Sequence, residues 1–118
     1  DDAVRLVLVA LAAIDAERGG VLARPMKAAL IEDLLEAWVD LRGGRWEPIE
    51  GRPGERDDEF LIGELELPYA RSVDVDAEPH ILIDYRRKAE RPFPQAMSSA
   101  NAERLSAAEM RELIELGG

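Results

Sequence analysis

Between Pro25 and Arg42 the apolar positions recur with the period of a helix. At about 100° per residue, Leu30, Leu34, Trp38 and Leu41 fall on one side, flanked by Met26, Ile31 and Leu35, while Glu32, Asp33, Glu36 and Asp40 gather opposite. Pro25 suits the first helical position, where a missing N–H costs nothing, and Gly43-Gly44 offers a left-handed stop after Arg42. The spacing predicts an amphipathic helix over 25–42 with Trp38 in its core face.

Residues 3–18 are apolar all round, except for Arg5, until Asp15. That is the pattern of a helix buried between other elements, with Asp2 as its N-cap and Gly19-Gly20 as its end. The part from Val4 to Val9 taken alone also fits a strand, but Ala10, Ala12 and Ala13 carry the run beyond strand length. A short connection to Pro25 makes an antiparallel helical hairpin the economical arrangement. The apolar girdle from Val4 to Ile14 exceeds what one neighbouring helix covers, which predicts a homodimer or another neighbour.

After Gly43-Gly44 the period becomes alternating. Trp46 and Ile49 begin a short, proline-interrupted strand, and 50–58 is a polar hairpin loop. In 59–67 Leu61, Gly63, Leu65 and Leu67 share one face and Phe60, Ile62, Glu64 and Glu66 the other, so Glu64 and Glu66 should reach water before Pro68 closes the strand. Val73 and Val75 alternate with Asp74 and Asp76 like a half-exposed edge. From His80 to Arg87, Ile81, Ile83 and Tyr85 face one way, Leu82 and Asp84 the other. Pro92 and Pro94 break the chain before a weaker helical stretch over 95–104. Ser106 and Glu109 have the spacing of a capping box, Leu105 and Met110 that of a hydrophobic staple, and Leu113, Ile114 and Leu116 supply a buried side before Gly117. Together these elements predict an α+β fold: an N-terminal helical hairpin, an antiparallel meander of three to four strands and a short C-terminal helix or helices, forming one domain over 1–118.

Composition narrows the chemistry. A chain of 118 residues with 47% hydrophobic and 34% charged content is globular and long enough to bury a core. With no Cys it has no disulfide, no thiolate zinc site and no cysteine nucleophile, which fits the cytoplasm. Its longest apolar run, Leu6 to Ile14, falls short of the roughly 20 residues of a membrane span. Among the 15 basic residues only Lys27 and Lys88 are Lys, a coding bias that points to a GC-rich, bacterial source.

The net charge of −10 is concentrated: between 43 and 78 eleven acidic residues face four basic ones, whereas 79–104 holds five basic and three acidic. Such a field repels phosphate backbones and attracts a basic protein, so the expected partner is a protein, with neither nucleic acid nor membrane. The residues expected to meet it are Asp57, Asp58, Glu59, Glu64, Glu66, Asp74 and Asp76, with Trp46 as an apolar anchor.

Catalytic constellations are weak. Asp74, Asp76, Glu78, His80 and Asp84 place five metal-ligand types in one stretch, but Pro79 stands where an EF-hand loop needs its glycine turn. His80 is the single histidine, and Ser72, Ser98, Ser99 and Ser106 lack a nucleophile elbow. A metal-dependent nuclease pairing Glu64 or Glu66 with a Glu/Asp-x-Lys triplet meets Asp84-Tyr85-Arg86 instead, without the Lys. Arg86, Arg87, Lys88 and Arg91 form the basic cluster, suited either to an anion or to balancing neighbouring carboxylates. The sequence thus points to a non-enzymatic interaction domain, of adaptor, inhibitor or immunity type, with no cofactor; the alternative is a small metal-dependent enzyme or ligand-binding domain using the acidic strand residues and His80.

Overall fold

The computed structural model describes residues 2–13 and 19–117. In chain order these form α1 (Asp2–Ala12), β1 (Val21–Ala23), α2 (Ile31–Arg42), β2 (Phe60–Ile62), a 3-10 helix at Leu67–Tyr69, β3 (Ala70–Val75), β4 (Glu78–Ile83), β5 (Met97–Ser98) and α3 (Ala107–Gly117). The class is α+β, with antiparallel strands between helices at either end. The chain clusters into two compact units, one of Asp1–Pro25 with Phe60–Ser98, the other of Met26–Glu59 with Ser99–Gly118. Among the described residues no helix is long and apolar enough to cross a membrane.

The first unit is built on β4. It is the central strand of a three-stranded sheet in the order β1-β4-β3, with β1 pairing antiparallel along Ile81, Leu82 and Ile83 and β3 along the whole strand. On one face Ile81 and Ile83 meet Ile62 and Ala70, with Leu61, Tyr69, Phe93 and Met97 packed around them. The other face carries Glu78, His80, Leu82 and Asp84, by the alternation of a strand. Arg5 of α1 reaches Glu78 at 2.6 Å and Arg24 reaches Asp2 at 3.3 Å, so two ion pairs tie α1 to the sheet. Pro79 is tolerated because β1 covers only the later half of β4, leaving the strand's start with one neighbour. The β3–β4 hairpin turns at Asp76 and Ala77, both at positive φ (53° and 62°), the conformation that matches a two-residue turn to strand twist.

Several local expectations give way to partners distant in sequence. The connection after α1 is not a bare loop: Val21–Ala23 is a strand on β4, so β1 stands between α1 and α2 along the chain. The remainder of the expected 3–18 helix beyond Ala13 lies outside the described residues. The expected strand over 59–67 stops at Ile62, where the Gly63 N–H donates to the Glu66 carboxylate (2.8 Å) and the N–H groups of Glu66 and Leu67 donate to the Gly63 carbonyl (3.0 and 3.2 Å). A turn closed by its own carboxylate outcompetes a ladder that Pro68 could not extend. Over 95–104 a two-residue strand replaces the expected helix, because Met97 and Ser98 pair with β2.

In the second unit α2 ends where expected, with the N–H of Gly43 (φ 75°) donating to the Val39 carbonyl at 2.8 Å. It begins six residues later than Pro25. The backbone at Ala28 is already committed: its N–H donates to Glu103 and its carbonyl accepts from Leu105, both at 2.8 Å, in a parallel bridge with Arg104. The expected core face is also displaced. Trp38 is 47% exposed and Leu30, Ile31 and Leu34 are exposed, while Leu35, Ala37, Val39 and Leu41 are half-buried. The helix packs on α3, where Asp40 pairs with Arg111 at 3.7 Å. At α3 the capping box forms in full: the Glu109 N–H donates to Ser106 Oγ (3.2 Å) and the Ser106 N–H to the Glu109 carboxylate (2.8 Å). Met110 and Ile114 are its buried residues, whereas Leu113 and Leu116 stay exposed. Trp46 to Ile49 adopts no regular structure.

The unequal burial fixes an order of mutational cost. Ile81→Ala removes a fully buried side chain from the central strand and should cost roughly 2–5 kcal/mol, whereas Trp38→Ala should cost less than that despite the larger side chain lost. Urea denaturation of the two variants checks it, and the reverse order would mean that α2, not β4, holds the core.

Candidate functional site

The acidic residues divide between the units. Trp46, Asp57, Asp58 and Glu59 belong to the second, Glu64, Glu66, Asp74 and Asp76 to the first. Asp57, Glu59, Glu64, Asp74 and Asp76 are exposed, and among the described residues none of them makes an ion pair. Asp58 and Glu66 are engaged internally. The Ser99 hydroxyl donates to Asp58 at 2.8 Å and accepts the Glu59 N–H at 3.0 Å. Glu66 accepts the Gly63 N–H and the Tyr85 hydroxyl, each at 2.8 Å; the former chiefly, then the latter, hold its carboxyl below the ordinary range against the effect of burial. Trp46 is half-buried.

The histidine and the acidic stretch do not assemble a metal centre. His80 is 2% exposed, and its Nδ1–H donates to the Glu78 carbonyl at 2.9 Å, a proton position set by a partner that can only accept. Asp76 lies in the hairpin turn and Asp74 on the sheet edge. Among the described residues no three His, Cys, Asp or Glu side chains lie close enough to hold a metal ion.

Concave chemistry lies instead beside the end of β4. A cavity of about 560 Å³ is lined, among the described residues, by Tyr69 at the end of the 3-10 helix, by Arg71 of β3, and by Asp84, Arg87, Lys88 and Arg91 from the end of β4 and the segment after it. Backbone bonds hold that segment in place: Asp84 N–H to Tyr69 (3.1 Å), Arg87 N–H to Asp84 (3.2 Å) and Ala89 N–H to Pro68 (2.8 Å). Asp84 is 3% exposed yet ionised, because Arg86 donates from Nε (2.7 Å) and Nη2 (3.0 Å) to its two oxygens and Arg87 Nε stands 3.6 Å away. The Arg86 guanidinium in particular pulls the Asp84 carboxyl down to about 2, against the opposing effect of burial. Gly19, at φ 83°, lets the chain pass close to Arg86: a Cβ there would come within 3.1 Å of the guanidinium. The clustered Arg86, Arg87 and Lys88 mark this place in the sequence, but nothing there announces that Arg71 joins them.

No protein-family model matches the sequence, and no curated protein matches it significantly.

Asp84 and Glu109 are, with Glu66, the carboxyls held low among the described residues, and they make stability depend on acid. Besides Asp84, Glu109 is lowered to about 2, first by the Lys27 ammonium (2.7 Å) and then by the Ser106 cap. Unfolded, these groups titrate near 3.8 and 4.5, so their stabilisation is present above those values and is lost as pH falls through about 2. Urea midpoints should fall as pH drops from about 5 to about 2, and Asp84→Asn should lower the midpoint at neutral pH and flatten part of that slope. An unchanged slope in the variant would remove Asp84 from the acid transition.

Proposed function

We propose that this chain is a non-enzymatic interaction domain of the adaptor, inhibitor or immunity type, working in the bacterial cytoplasm and presenting acidic surface to a basic protein. The observation that carries the reading is that Asp57, Glu59, Glu64, Asp74 and Asp76 are exposed and, among the described residues, have no ion-pair partner. Charges left uncompensated on a protein of net −10 repel one another, and an oppositely charged surface relieves that repulsion while steering encounter. In this reading Asp58 and Glu66 shape the acidic segments through their internal bonds, and half-buried Trp46 lends part of its ring to the contact.

The apolar side of the interaction belongs to α1. Val4, Val7, Leu8 and Leu11 recur at three- and four-residue spacing and are between 56% and 61% exposed, while Val9 is the buried residue of the helix. A second copy of this chain can cover that stripe with the same stripe, giving a self-complementary two-fold contact. Light scattering should report a dimer that Leu8→Glu converts to a monomer, and a monomeric parent protein at high concentration would exclude this contact.

The acidic surface has its own test. Protein captured from the source lysate on the parent chain at low salt should be released by salt and should fail to bind the Glu64→Lys/Asp74→Lys variant, whose substitutions lie away from the buried core. In stopped-flow measurements with that partner, the double reversal should slow association more than it speeds dissociation. Capture that is indifferent to both salt and charge reversal would overturn the acidic-surface reading.

A further inference from the structure

Helix α2 turns a row of apolar side chains outward. Ile31, Leu34, Trp38 and Leu41 follow the three- and four-residue spacing of a helix-pairing seam, yet Ile31 is 75% exposed, Trp38 is 47% exposed and Leu34 is exposed, with Leu41 half-buried. We infer that this seam is a docking surface for a basic amphipathic helix of another protein. That helix lays its apolar stripe along Ile31, Leu34 and Trp38 and its lysine or arginine side chains beside the acids of α2.

The seam is not the side on which α2 meets α3 through charge. Arg111 of α3 pairs with Asp40, and at about 100° per residue Ile31, Leu34 and Trp38 stand about 120–180° around the helix from Asp40. Leu30, the N-cap residue, is exposed as well and continues the row beyond the first turn. From Ile31 to Trp38 the seam runs about 11 Å by helical rise, two turns of a partner helix. Helix-in-groove recognition uses anchors at this spacing, and an indole half in water combines large apolar area with few rotatable bonds, the properties of an interface anchor.

Charge selects the occupant. α2 carries Glu32, Asp33, Glu36 and Asp40 against Arg42 alone. Glu32 lies about 100° beyond Ile31 on one side and Asp33 about 100° beyond Leu34 on the other, so the apolar row runs between two exposed acids of the first turn. A second copy offering its own α2 would bring like charges together there, and anionic lipid head groups would meet the same repulsion. Basic side chains flanking an apolar stripe gain at both edges instead. This surface is independent of the exposed acids at 57–76 and of the α1 stripe, because α2 alone supplies it.

The probe is a synthetic peptide of leucine and lysine, about four helical turns long, with its leucines at three- and four-residue spacing, titrated into the full chain. Its scrambled counterpart, the leucine–glutamate version and anionic phospholipid vesicles are titrated in parallel. In the Trp46→Phe variant emission comes from Trp38 alone and should move to the blue as the peptide binds, while amide shifts of the parent chain change over 30–42. Trp38→Ala should weaken binding by about tenfold or more. Glu32→Gln/Asp33→Asn should weaken it and flatten its salt dependence, and Glu64→Lys/Asp74→Lys, in the other unit, should leave it within about twofold. No binding of the peptide overturns the proposal, as does equal binding of the scrambled or glutamate peptide, binding to the vesicles in its place, or shift changes confined to residues outside 30–42. Self-association of the full chain that Trp38→Ala abolishes would assign the seam to a second copy, and Trp38 emission already that of a buried indole before any addition would show it covered; either result overturns the proposal. The emission and amide-shift readings do not depend on how the Trp38→Ala variant folds.

Discussion

The burial of β4 on both faces is the constraint from which the first unit follows. Ile81, Leu82 and Ile83 are each paired with a strand on either side, so their backbone groups face neighbours rather than water while their side chains fill opposite faces. Fully burying an aliphatic side chain is worth roughly 1.5–3 kcal/mol, so three of them weigh heavily against the roughly 5–15 kcal/mol net stability of an ordinary domain. The brevity of β1 and the tight turn at Asp76 and Ala77 are both consequences, since each need only complete the sheet around that strand.

A strand buried this way must also settle the polar residues at its ends. His80 does so with one carbonyl two residues away, at little structural cost. Asp84 cannot, because a buried carboxylate requires cationic partners or loses its charge. Arg86 and Arg87 answer that requirement, and in doing so they fold the following segment back toward Tyr69 and Pro68, where Lys88 and Arg91 come to face Arg71. The cavity is thus a by-product of ending a buried strand on a charge.

The surface contrasts with this economy. Acidic side chains crowd exposed segments without internal partners among the described residues, and the aliphatic stripe of α1 stands open to water. Neither lowers the free energy of the isolated chain: exposed aliphatics gain nothing from folding, and like charges oppose compaction.

Features whose cause lies within a few residues were determined by the sequence itself. The Ser106–Glu109 box, the Gly43 stop after Arg42, the edge character of β3 and the alternating core of β4 all rest on contacts or periodicity inside one turn or one strand. The α+β class follows from those elements in order. Tertiary structure decided the rest wherever a distant backbone competed for the same hydrogen bonds. Glu103 and Leu105 hold Ala28 out of the helix that Pro25 would open, β2 claims Met97 and Ser98 from the helix their spacing predicts, and β4 turns Val21–Ala23 from a connection into a strand. Amphipathic spacing located a stripe on α2 but not its burial, so Trp38 reads as core and lies half in water, because a helix face is buried only by what packs on it. Arg71 joins Lys88 and Arg91 for the same reason: strand pairing brings together charges that no local pattern links.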